Sequence, residues 1–488
     1  MKKAKICLIL LLSFLAIASA QDKDSANRII AESLKPSPIA TSLQRLTDEI
    51  GGRVPGTPAM QKAVQWGVEA LKAAGADSVH TEEFMILSSW AEGATQMSVI
   101  APEQFKLRLV SLAWAPALAP QHRLPVVDVG DGSPEGFIKG GNVAGAIVLV
   151  HSEEMSRWYD LFAEYLKAPG IIDLAVKGKA SAIAFQSTRP HDLLYRHTNS
   201  LEGEIDRIPM VLVAREDAGR MARLLAAGQK LYADLAIPNQ VSGPIKAANV
   251  VGELRGSEKP DEFVILGAHL DSWELGTGAL DNGCNAALVI DALRAIKASG
   301  LRPRRSIRFI LFSGEEEGMI GSHAYTVAHR NELDKAAGVV IVDSGIGRIT
   351  GFSLGRSDVV ASVTPLVEPL KQFGAAALTT DAEVGTDNFD FLLEGVPTLV
   401  ANQEEANYLI NYHAMSDTFD KVDIAELKKH VAEAAVVTYG IADDPVRIGP
   451  RLTHVQVEQT MRETHLDEQL KVFGMWQDWE SRRRGRTE

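Results

Sequence analysis

Apolar and polar positions alternate along the chain in blocks, and the first block stands apart. Lys2, Lys3 and Lys5 precede an apolar run from Ile6 to Ile17, and Ala18-Ser19-Ala20 follows. The run is shorter than the ~20 residues of a membrane-spanning helix. Its basic, apolar, small-residue order predicts a cleaved export signal over 1–20. Next, Ala63, Trp66, Ala70, Leu71 and Ala74 recur at helical spacing and stop at Gly75, so 41–77 reads as helix, Gly/Pro loop and helix. Between Pro116 and about Pro238, short apolar runs at 147–150, 182–185 and 210–213 predict strands among loops and small helices. This block carries little that looks chemical.

From there strands and helices alternate. Apolar runs at 263–268, 307–312, 339–342 and 398–400 predict strands, and Ala286, Val289, Ile290, Leu293 and Ile296 mark a helix over 285–298. Asp423, with Glu426 three residues on, predicts a capped final helix. This order predicts an α/β domain of three layers, helices covering both faces of a central mixed sheet. Residues 445–488 read as a helical extension with Leu470, Phe473 and Trp476 spaced to dock, ending in a basic tip, Arg482 to Arg486, that reads as a frayed, solvated terminus. The expected organisation is a signal over 1–20, a discontinuous catalytic domain over 21–118 and 240–444, a β-rich insertion over 119–239 and the extension over 445–488.

Composition narrows the function classes. The 488 residues are 46% hydrophobic and 23% charged, the profile of a globular protein of two or three domains. A net charge of −13 disfavours phosphate backbones, so nucleic acid is not an expected partner. Of the two cysteines Cys7 lies in the signal, which leaves Cys284 without a partner for an internal disulfide; it is expected to pack as a small apolar residue.

The chemistry gathers at strand ends, where open α/β sheets bind ligands. His269 and Asp271 follow the 263–268 run, and Asp281 lies in Gly278-Ala279-Leu280-Asp281-Asn282-Gly283. Glu315, Glu316 and Glu317 follow 307–312, Asp343 ends 339–342, and His413 sits in Asn411-Tyr412-His413-Ala414-Met415-Ser416-Asp417-Thr418. Each alone is unremarkable: a lone Asp before a helix is usually a cap, and consecutive Glu a solvated turn. Together they form a set of imidazoles and carboxylates without thiolate that suits a borderline divalent metal. So many acids at one edge would repel one another unless cations joined them, and two metals sharing a carboxylate would answer that.

These motifs resemble the co-catalytic zinc exopeptidase family. The carriers are His269-Leu270-Asp271, Leu280-Asp281-Asn282-Gly283, Phe312-Ser313-Gly314-Glu315-Glu316-Glu317-Gly318, Asp343, and Tyr412-His413 with Asp417-Thr418. The longer His269 to Glu274 stretch, with Gly385-Thr386-Asp387, is most similar to its plasma glutamate carboxypeptidase branch. The resemblance implies two zinc ions bridged by Asp281, one completed by His269 and Asp343 and the other by Glu316 and His413. It implies Glu315 as general base acting on a metal-bound water, Asp271 holding the second N–H of His269, and a cis peptide at Asp281–Asn282. Tyr412 is read as a candidate oxyanion donor, and Asp387 as a candidate substrate contact. Runs at 145–150, 180–184 and 208–211 resemble a protease-associated domain, which implies either a lid or a structural insertion. The expected enzyme is an exported exopeptidase, periplasmic or extracellular, acting on short peptides with a free N-terminus; no membrane partner is expected after signal cleavage, and a homodimer is compatible.

Two rivals stand beside it. Gly351-Phe352-Ser353-Leu354-Gly355 matches the nucleophile elbow of serine hydrolases, with Asp387 and His413 downstream in the right order. A glutaminyl cyclase-like enzyme with one zinc on the same scaffold would use only part of the ligand set.

Overall fold

The computed structural model describes residues 24–382 and 384–488, so the expected signal lies outside the described residues. In the strand Lys259–His269, Phe263 and Ile265 face one apolar cluster while Val264, Leu266 and Ala268 face another, and all five are buried. A strand buried on both faces must sit inside three layers. On one side the sheet meets the helices Pro58–Ala74, Cys284–Ala298 and Ile424–Asp443; on the other it meets residues such as Tyr325 and Phe391 from the helices Ile320–Ala328 and Asn388–Leu393.

The sheet has eight strands in the order Ser78–Ile86, Ile245–Leu254, Arg305–Phe312, Lys259–His269, Ala336–Ile341, Thr398–Gln403, Ile349–Ser353 and Ala377–Thr379. Its centre is parallel, the Lys259–His269 strand pairing with Arg305–Phe312 on one side and Ala336–Ile341 on the other. Antiparallel pairs flank that centre, so the sheet is mixed as expected. The parallel strands point their carboxyl ends at one edge, which is where the acids and imidazoles gather.

A second eight-stranded sheet runs in the order Phe105–Lys106, Gln96–Ala101, Tyr232–Ile237, Leu118–Asp128, Ile147–Val150, Ala182–Gln186, Met210–Val213 and Leu109–Ser111. It begins at Gln96, ahead of the boundary at 119 read from the prolines. Met97 and Val99 alternate with less buried neighbours and pack beside Leu235, an alternation that gives no sign of which sheet it joins. A short ribbon, Ser89–Ala91 against Gln240–Ser242, closes the neck between the two sheets.

The extension folds into the helices His454–Glu463, Leu466–Val472 and Trp476–Glu480, with Leu470 and Trp479 buried against Phe389 and Leu392. The frayed basic tip is not observed: the Arg484 side chain is 3% exposed and grips Asp390 through both carboxylate oxygens. Charge density alone hid a buried partner more than ninety residues away. Cys284 packs as expected, fully buried in the main core.

Candidate metal centre

Two donor triads form at the strand edge. His269 Nε2 lies 3.2 Å from Asp281 Oδ1 and 3.5 Å from Asp343 Oδ1. His413 Nε2 lies 3.3 Å from Asp281 Oδ2 and 2.9 Å from Glu316 Oε2. Asp281 therefore turns one oxygen to each triad, and the donor atoms within each triad lie within 4.8 Å of one another. All five residues expected as ligands are brought together.

The fit of a cation rests on what these atoms lack. His269 Nε2, Asp281 Oδ2, Glu316 Oε1 and Asp343 Oδ1 are buried and have no hydrogen-bond partner among the described residues. Buried polar atoms are rarely left so. Burial works against a charged His269, yet Asp343, Asp281 and Glu315 outweigh it and hold its pKa well above the usual imidazole value. At His413, Glu316 and Asp281 overcome burial in the same way and raise the pKa to about 9. Burial pushes Glu316 up to about 7 and Glu315 well above the ordinary carboxyl value, and neighbouring carboxylates add to both. The site thus calls for positive charge, supplied by protons when no metal is bound and by divalent cations otherwise. Imidazole and carboxylate donors without a thiolate suit zinc.

Supporting contacts aim the donors. His269 Nδ1 lies 3.1 Å from the Asp271 carbonyl, which can only accept, so the N–H sits on Nδ1 and Nε2 faces the triad with its lone pair. The Asp271 carboxylate, expected on that N–H, is 3.8 Å away and instead accepts the Glu316 backbone N–H. The Asp271 carbonyl, at 3.1 Å, simply lies nearer to that N–H than the side chain does. The Asp281–Asn282 peptide is cis. Glu315 lies 4.0 Å from His269 Nε2, beside the triads without joining either one.

Asp417 of the quoted motifs and Arg53 of the Gly/Pro loop prove to be organisers of the Asp281 loop. Asp417 accepts the backbone N–H groups of Ala279, Leu280 and Asp281 at 3.1, 2.7 and 3.1 Å. Arg53, buried, donates to the carbonyls of Gly51, Leu270, Thr277 and Gly278. Gly278 sits at φ +60°, and a Cβ there would lie 2.2 Å from Ser272 Oγ, so only glycine fits this bend. The Gly-rich loop around Arg53 and the Asp417-Thr418 pair were the available signals.

The second sheet's domain gave no chemical signal, and here the reading is corrected. Arg196 N donates to the His413 carbonyl at 3.0 Å, and Met415 N donates to Leu194 O at 3.0 Å, so backbone from this domain supports His413 at φ +57°. Tyr165 Oη lies 3.4 Å from His413 Nδ1, and Arg189 donates to the Tyr412 carbonyl at 3.2 Å. These contacts join residues more than 200 apart in sequence, which no local pattern reveals.

Tyr412 stacks on His413 with ring centroids 3.7 Å apart, and burial lifts its phenol well above the ordinary value, keeping it a donor. Asp387 is wholly buried and raised to about 8 by that burial, a place better suited to support than to substrate contact. Ser353 of the elbow motif pairs with Thr379 Oγ1 at 2.6 Å on two parallel strands and meets no histidine among the described contacts.

Fold and site together define a metallopeptidase, and residues 249–438 match the model of peptidase family M28. Along most of its length the chain is similar to carboxypeptidase Q, at 28% identity to the proteins of Mus musculus and Homo sapiens over 82% of this chain and 84% of theirs. The crystal structure of a peptidase M28 precursor from Shewanella amazonensis superposes with a TM-score of 0.80 at 25% identity, covering 89% of this chain and 99% of that one. A zinc aminopeptidase from Bacillus subtilis, 19% identical with a TM-score of 0.65, shares the fold over 84% of this chain and 96% of its own.

Proposed function

We propose that the protein is an exported exopeptidase with two zinc ions, hydrolysing dipeptides or short peptides that carry a free N-terminus. The observation that carries this reading is the pair of buried donor triads sharing Asp281. His269, Asp281 and Asp343 would hold one zinc, and Asp281, Glu316 and His413 the other. When bound, such ions lower the pKa of water and polarise a carbonyl. Glu315 is the group left to move the proton: its raised pKa suits a base that takes a proton from the attacking water and returns it to the leaving amine. Tyr412 can donate to the oxygen that gains charge at the scissile carbon. Asp271 holds the Glu316 backbone and, through its carbonyl, the His269 tautomer.

Relatives are named carboxypeptidase and a solved neighbour aminopeptidase. A dipeptide reconciles them, since its single bond is next to both ends. The carboxylates around the triads favour recognition of the positive α-amine. The basic–apolar–small pattern at 1–20 supports export to the periplasm or outside. The test is hydrolysis of matched dipeptides with free and N-acetylated termini by zinc-loaded enzyme. The free form should be cleaved far faster, and equal rates would defeat the proposal.

A further inference from the structure

Glu315 and Glu316 sit on a tight turn whose closure depends on its far end. Gly318 N and Met319 N both donate to the Glu315 carbonyl at 2.8 Å, and Ile320 N donates to the Gly314 carbonyl at 2.8 Å. Gly318 has φ +111°, so the turn bends where an ordinary residue would be strained. Its carbonyl accepts Arg484 Nη2 at 3.2 Å. The same guanidinium grips Asp390 through Nε to Oδ1 at 2.7 Å and Nη2 to Oδ2 at 2.8 Å. Arg484 Nη1 also lies 3.7 Å from Glu202 Oε1, and the Glu202 backbone N–H donates to the Glu317 carbonyl at 2.7 Å. Asp390 Oδ2 further accepts Ser322 Oγ at 3.3 Å, on the helix that leaves the turn.

We infer that Arg484 is a positioning residue for catalysis: it fixes the Glu315–Glu316 turn by tying Gly318 to Asp390, and so to the helical extension. A buried ion pair adds little net stability, because desolvation offsets the attraction. What the fork supplies is geometry. A planar guanidinium can hold both carboxylate oxygens and still direct an N–H at a carbonyl, which the point charge of lysine cannot do. The catalytic consequence rests on Glu315 as base and Glu316 as ligand; the mechanical one does not.

The test uses full-length protein with Arg484→Lys and Arg484→Ala. Arg484→Lys keeps a cation opposite Asp390 and loses the fork. Backbone hydrogen exchange at Gly318, Met319 and Ile320 should quicken by about ten- to a hundredfold, as expected for loss of one hydrogen bond to a charged group. Exchange in the helix Cys284–Ala298 should stay as in wild type. With dipeptide substrate, kcat should fall by about tenfold or more while KM moves less than about threefold, because the ground-state contacts remain. Guanidinium ion at low millimolar concentration should recover part of the loss in Arg484→Ala. Unchanged exchange at the turn overturns the inference, and so does acceleration throughout the protein, which would make Arg484 a general stabiliser. A loosened turn with normal kcat overturns it too. If Arg484→Ala does not fold, Arg484→Lys alone decides. If wild type hydrolyses no peptide while the turn still loosens, it is the peptidase reading that fails, and the clamp stands.

Discussion

Neighbouring identical side chains carry different duties here. Glu316 reaches His413 Nε2 at 2.9 Å and belongs to a triad, whereas Glu315 stands 4.0 Å from His269 and belongs to none. Glu315→Gln keeps the shape of the side chain and removes its basicity. It should retain both metals and lose about 100- to 10,000-fold in kcat. Glu316→Gln should instead lose one metal equivalent. Elemental analysis of the two variants side by side checks the assignment, and a metal loss confined to Glu315→Gln would reverse it. The ligand types were legible in the sequence because they cluster behind apolar runs. Asp417 was legible only as a motif member and Arg53 only as part of a Gly/Pro loop, since their work is done on carbonyls and N–H groups of other segments.

Among the elements, the helix Ile424–Asp443 shows how a pattern can be read correctly and still hide something. Asp423 caps it as expected, accepting from the N–H groups of Ala425 and Glu426, while Glu426 turns to Lys429 at 2.6 Å. Its inner face also buries His430 and Glu433 completely, and neither side chain has a hydrogen-bond partner among the described residues. Burial lowers His430 to about 4 and raises Glu433 to about 8. A raised carboxyl pKa means stability is lost as pH climbs from the unfolded value of about 4.5 through 8, because the unfolded carboxyl ionises there while the buried one keeps its proton. His430 works in the opposite sense, losing stability as pH falls from about 6.5 through 4. The two slopes oppose between about 4.5 and 6.5, and above that only the Glu433 loss remains. Glu433→Gln should therefore gain on wild type in melting temperature progressively from pH 5 to about 8 and level off beyond. A difference that stays constant across that range would mean that Glu433 is not buried as an acid. Strand and helix positions were legible because both faces of the main sheet are apolar. The membership of Gln96–Ala101 in the second sheet was not, since alternation fixes a face and never a partner.

Across the whole molecule, metal and stability are linked. Under the proposed function the triads would bind zinc in the folded arrangement and not in the unfolded chain, so free zinc at one hundred times its dissociation constant would add about 2.7 kcal/mol. Chelation near neutral pH should lower the melting temperature by several degrees while leaving the apo-protein folded, because the apolar core of the main sheet is large. An unchanged melting temperature in protein shown to be metal-free would mean these side chains do not form the centre. The second sheet's domain shares in that centre, yet both of its chain connections lie at one place. The chain leaves the main sheet after Ile86 and returns at Ile245, residues that face each other in register, and the Ser89–Ala91 and Gln240–Ser242 ribbon continues the pairing outward. A segment whose two ends meet on one rung is a graft. It can be lengthened, trimmed or exchanged for another closed unit without rethreading the eight strands beneath it. Such a scaffold can change what crowds the mouth of its site as a single cassette, provided each replacement again offers His413 the backbone and phenol that Arg196 and Tyr165 give it now.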